Sequence, residues 1–151
     1  MDFNAVETGD HVRNECTPDL EKGFIGMRIA APQAVQLGSD LFAVCGTYRF
    51  SAEFTYSYTS ITRAVVIVAV DAATGRPYAR SLADDTGGDR APVRRETPHQ
   101  DPDWMENHRV RRYFNIDLLR YLDLPRVDAT YFLYALIEDH VSNVVSVRVK
   151  A

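Results

Sequence analysis

The sequence predicts an all-β protein built as a two-sheet sandwich of about seven strands, and two observations carry the prediction. Side chains alternate apolar and polar over 41–50 and 143–150, the two-residue period of a strand with one buried face. The stretches 61–70 and 130–138 are apolar at both parities and rich in Val and aromatic residues, which suits strands better than helices. Hardly any helical periodicity separates these strands, so an alternating α/β arrangement is disfavoured.

A chain of 151 residues fits one domain large enough to bury its own core. Residues 1–22 are acidic and aperiodic and read as a flexible arm or irregular lead-in, leaving 23–151 as a single sandwich domain. A first strand is expected within 24–31, ended by Pro32, and Gly38-Ser39-Asp40 supplies a turn. In 41–50, Phe42, Val44, Tyr48 and Phe50 share one parity, with Ala43, Cys45, Thr47 and Arg49 on the other. The same alternation runs on through Phe54, Tyr56 and Tyr58, so the strand is expected to continue past a bend near Ser51-Ala52.

In 61–70, Val66, Val68 and Val70 oppose Val65, Ile67 and Ala69, and Thr74-Gly75 then turns the chain into a shorter strand at 78–82. The rhythm breaks at 84–108, a long polar loop insertion with Gly87-Gly88, Pro92, Pro98 and Pro102; loops of this length are functional or disordered. Val110, Arg112, Phe114, Ile116 and Leu118 restore alternation, with a helical turn as the alternative over 117–122, and Pro125 ends that element. In 130–138, Tyr131, Leu133, Ala135 and Ile137 oppose Phe132, Tyr134 and Leu136; in the last strand Val145, Val147 and Val149 oppose Ser146, Arg148 and Lys150. The buried set is expected to include Val44, Val66, Val68, Phe114, Leu133, Ile137 and Val147.

From Leu124 to Val149 the chain resembles the immunoglobulin-like and fibronectin type III superfamily of sandwiches. Leu124-Pro125 ahead of Thr130-Tyr131 looks like the approach to that superfamily's tyrosine corner, and Ser142-Asn143 before alternating valines resembles the lead-in to its last strand. The resemblance implies a sandwich and a tyrosine hydroxyl bonded back to upstream backbone, but no particular activity. The single tryptophan, Trp104, falls in the long loop rather than on a central strand.

Net charge is −4 with no extended Lys/Arg block, which excludes non-specific nucleic-acid binding, and no segment is long and apolar enough to cross a bilayer. The N-terminus lacks a basic start and apolar run, so a soluble cytoplasmic protein is expected, with export the alternative if a signal peptide has been removed. In that setting Cys16 and Cys45 are expected to stay reduced, Cys45 as a small buried hydrophobe; a disulfide is the expectation only for an exported protein.

No nucleophile elbow, phosphate loop or cysteine–histidine pair appears, so a non-catalytic binding or protein-interaction module is the expected function, with no cofactor. The alternatives are an enzyme or metal-binding protein using the 84–108 loop, and a carbohydrate-binding module using exposed tyrosines. His99, Asp101 and His108 are the candidate metal ligands, because imidazoles and carboxylates suit a divalent ion. Tyr56, Tyr58, Trp104 and Arg111 are the candidate ligand-binding residues, offering aromatic faces with polar tips and a guanidinium for acidic groups. Because 61–70 and 130–138 are apolar on both faces, one set must be covered outside the core. Val65 and Ile67 with Phe132, Tyr134 and Leu136 are therefore the candidate interface, and a homodimer is the expected partner arrangement, ahead of another protein.

Overall fold

The computed structural model describes residues 1–10, 12–83 and 101–151. Its strands in chain order are β1 (Gly9–Asp10), β2 (Gly26–Ala30), β3 (Ala34–Gln36), β4 (Ala43–Ser51), β5 (Val66–Asp71), β6 (Pro77–Ser81), β7 (Arg109–Asp117), β8 (Ala129–Ile137), β9 (His140–Val141) and β10 (Val145–Lys150). They form a smaller sheet in the order β1-β7-β4-β2 and a larger one in the order β3-β10-β8-β5-β6, with β9 paired to β8. Every pairing is antiparallel except that of β3 with β10. The all-β sandwich is therefore correct, with three more strands than expected, among them the two-residue β1 and β9 and the three-residue β3.

The core lies between the sheets and follows from strand parity. Val44, Tyr48 and Phe50 of β4, Met27 and Ile29 of β2 and Phe114 and Ile116 of β7 face inward. Opposite them stand Ile67 and Ala69 of β5, Tyr131, Leu133, Ala135 and Ile137 of β8, and Val147 and Val149 of β10. Gly46 sits on the inward parity of β4 directly across from Phe114, and a Cβ there would lie 2.1 Å from the ring. The missing side chain lets the phenyl ring lie across the neighbouring strand.

Two expectations about burial are corrected. Val65 and Ile67 are both 0% exposed in the core, so neither belongs to an outer interface. Val66, expected inside, is half-buried on the outer face, because β5 pairs Val66, Val68 and Val70 with Leu136, Tyr134 and Phe132. With apolar residues at both parities, the hydrophobic pattern alone could not choose the inward set; the register with β8 does.

Local hydrogen bonding overrides alternation after β4. The Ser51 hydroxyl accepts from the Phe54 amide, Thr55 donates to the Ser51 carbonyl and Ser57 to the Phe54 carbonyl, winding a short helix, α1 (Ala52–Tyr56). The strand expected to continue through Tyr58 is thus a helical turn, as N-cap chemistry favours after a serine. A second turn, α2 (Ile61–Ala64), takes the start of the expected 61–70 strand. Within the expected loop, Asp101 caps α3 (Pro102–Asn107), whose first turn holds a proline. Asp71 and Gly75 make the expected β5–β6 turn, Gly75 at φ 74°.

The N-terminal segment is not a loose arm. It packs on the outer face of the smaller sheet, where Cys16 is joined to Cys45 by a disulfide with Cα atoms 6.0 Å apart. This corrects the expectation of two reduced thiols. Asn115 donates from Nδ2 to the Val12 carbonyl, and Arg49 donates to the carbonyls of Glu21 and Phe24 at 3.1 and 3.3 Å. Cys45, Thr47 and Asn115 are consequently buried on a face that a bare sandwich would leave in water.

The tyrosine corner expected from the C-terminal resemblance is not formed at Tyr131. Tyr131 is fully buried, edge-on to Tyr78 with ring centroids 6.2 Å apart, but its hydroxyl makes no hydrogen bond, so the expected corner contact is absent. Asn143 instead acts as a strand surrogate: its Oδ1 accepts from the Ile29 amide at 2.8 Å and its Nδ2 donates to the Ile29 carbonyl at 3.0 Å. This bond pair ties the β9–β10 connection to the edge of the smaller sheet. Asn143→Ala is expected to lower the unfolding free energy by about 1–2 kcal/mol, measured by urea unfolding. An unchanged midpoint would mean that water replaces the amide without loss.

Candidate functional site

Two features stand out. The first is a cleft of about 200 Å³ at the end of the sandwich where α1 and α2 connect β4 to β5, lined by Tyr48, Thr55, Tyr56, Tyr58, Thr59, Ser60, Ile61, Thr62 and Arg112. The alternation of β7 puts Arg112 on the inward parity opposite Tyr48, whereas Arg111 points to the outer face beside Arg49. Tyr48 is buried and its hydroxyl shares a hydrogen bond with Thr62. Burial pushes the Tyr48 phenol well above its ordinary value. The Thr62 bond and the Arg112 charge pull it down, and Asp10 pushes it further up. Tyr58 is only 8% exposed and donates to Glu138, itself a non-glycine residue at φ 49° in the β8–β9 turn.

Of the four candidate ligand-binding residues, Tyr56 and Tyr58 reach this cleft, while Arg111 and Trp104 do not. The tyrosines present no flat platform, since Tyr58 is buried and Tyr56 half-buried. Trp104 lies on α3, 38% exposed and stacked on His108 with centroids 4.3 Å apart. Arg112 was legible as the polar member of an otherwise apolar parity; Ser60, Thr59 and Thr62 carried no such mark. His140 is half-buried against Phe50 and Phe54, with ring centroids 4.6 and 5.3 Å away.

The candidate metal ligands have local work. Asp101 caps α3 through the Asp103 amide, and the Nδ1 of His108 stands 2.8 Å from the Trp104 carbonyl. His99 lies outside the described residues. Among the described residues, no three His, Cys, Asp or Glu side chains gather where they could hold a metal ion.

The second feature is the outer face of the larger sheet. Register aligns three rows across β6, β5 and β8: Ser81, Val66 and Leu136; Ala79, Val68 and Tyr134; Pro77, Val70 and Phe132. None of these positions is charged. Phe132 is 44% exposed, and Val141 and Val144 beside β8 and β10 are more exposed still. Charge returns toward the β3 edge, at Arg148 and Lys150 of β10.

A larger cleft of about 430 Å³ lies between the β3–β4 and β7–β8 connections, among Leu37, Leu41, Leu122, Leu124 and Arg126. Two of its three carboxylates, Asp40 and Asp117, accept from the Gln36 and Leu119 amides and so shape turns; the third is Asp123. No family model, curated protein or solved structure matches the chain. Among the described residues, no helix is long and apolar enough to cross a membrane.

Proposed function

We propose that the protein is a non-catalytic interaction module that pairs with a second copy of itself through the outer face of the larger sheet. The observation that carries this reading is the uncharged patch formed by Val66, Val68, Val70, Phe132, Tyr134 and Leu136 on adjacent paired strands. A quarter of the chain is charged, whereas this three-strand face carries no charge; Phe132 is its exposed member, and Val68 at its centre is only 5% exposed. A two-fold contact covers the same patch twice with one interface. The strand grouping supports an immunoglobulin-like reading: β2, β4 and β7 share one sheet, β5, β6, β8 and β10 the other, as in the two-sheet division of that superfamily.

The disulfide favours an oxidising compartment as the working location over the cytosol, since thiol-reducing systems keep such pairs open. Replacing Tyr134 with Glu places a charge in the middle of the proposed contact. The Tyr134→Glu protein should keep its circular dichroism spectrum and scatter light as a monomer. Retention of the unmodified protein's dimer mass by both Tyr134→Glu and Phe132→Glu would refute the interface.

A further inference from the structure

The cleft beside Tyr48 carries an inference that stands apart from self-association. Arg112 is half-buried on the inward parity of β7, with Phe114 and Ile116, across from the fully buried Tyr48. The Arg112 stem is covered while none of its guanidinium nitrogens is among the buried atoms that lack a partner, so the charged head stays open to an incoming anion. Among the described residues, no carboxylate or carbonyl makes a hydrogen bond or ion pair with that guanidinium. Asp10, on the neighbouring β1, is the acid whose charge reaches Tyr48 alongside that of Arg112. Among the described residues, no Asp or Glu lines the cleft itself.

The hydroxyls around Arg112 divide into two groups. Those of Tyr48 and Thr62 bond to each other, Thr55 turns to the Ser51 carbonyl, Tyr58 to Glu138, and Tyr56 has a partner of its own. Ser60 heads α2 without capping an amide, and Thr59 is exposed, so both can donate into the cleft. We infer that this cleft binds a small oxyanion, the carboxylate, sulfate or phosphate group of a ligand, on the guanidinium of Arg112 with Ser60 and Thr59 as further donors. The guanidinium fork matches two oxygens of such a group with parallel N–H···O bonds. A volume of about 200 Å³ admits a head group and leaves the remainder of a larger ligand in solvent.

The test is a titration of the intact protein with sulfate, phosphate or acetate against chloride at constant ionic strength, followed by amide nuclear magnetic resonance. Saturable shifts are expected at residues 59–62 and 112. Saturation by acetate assigns a planar carboxylate, and saturation by sulfate or phosphate a tetrahedral group. Arg112→Gln should weaken binding about tenfold or more, the scale of one lost charge-assisted hydrogen bond. Arg111→Gln, on the opposite face, should bind as the unmodified protein does. Should Arg112→Gln fail to fold, Ser60→Ala replaces it and should weaken binding several-fold. No saturable shift with any of the three ions, or undiminished binding by the cleft variant, overturns the proposal; neither readout depends on oligomeric mass.

Discussion

Cys16→Ala combined with Cys45→Ala is expected to lower the unfolding free energy by about 3–4 kcal/mol, the chain-entropy value for a bridge spanning 29 residues. That is a large part of the roughly 5–15 kcal/mol that holds a domain of this kind together. The loss should be read in guanidinium unfolding, and dithiothreitol should reproduce it in the unmodified protein while leaving the double variant unaffected. The physical reason is the arm itself. Beyond the two-residue pairing of β1 with β7, its hydrogen bonds to the sheet come from Asn115 and Arg49, so the covalent link is the main brake on the separation of residues 12–24 from β4. Equal stability with and without reductant would contradict this account and make the bridge incidental.

Gly46→Ala should destabilise by about 3 kcal/mol, near the upper end for an overpacked core, because the new methyl carbon would fall 2.1 Å from the Phe114 ring. The ring cannot retreat easily: Phe114 is fully buried, with Tyr48 6.4 Å away between centroids. The diagnostic experiment is a double-mutant cycle with Phe114→Leu. Leucine makes room, so the pair should cost at least about 1 kcal/mol less than the sum of the two single changes. Strict additivity would place the cost of Gly46→Ala in the backbone of β4 rather than in the contact with Phe114.

The strands whose inward face was legible in the sequence are those with one polar face. β7 and β10 carry a plain two-residue period, and their observed bounds differ little from the expected ones. β5 was legible as a strand but not as to its facing, because Val65, Ile67 and Ala69 look no more suited to a core than Val66, Val68 and Val70. The choice is made by pairing with β8, a contact more than sixty residues away in sequence. Residues 52–58 misled for the opposite reason. Their alternation was genuine, yet Ser51, Thr55 and Ser57 each offered a local hydrogen bond that a strand cannot use. The N-terminal segment has no period at all; its order comes from a disulfide, the two-residue pairing of β1 with β7 and a few side-chain bonds to backbone, none of which hydrophobic patterning detects. In the cleft, Arg111 was the expected guanidinium, but the two-residue period of β7 turns Arg112 inward instead, and the hydroxyls that join it sit on irregular turns where no repeat marks them.

The outer face of β5 and β8 carries the functional reading, and sedimentation equilibrium of the unmodified, oxidised protein tests it most directly. Across low to high micromolar concentration the account predicts a mass near twice 17.0 kDa, falling to the single-chain value on dilution. A mass of 17.0 kDa throughout that range would contradict it.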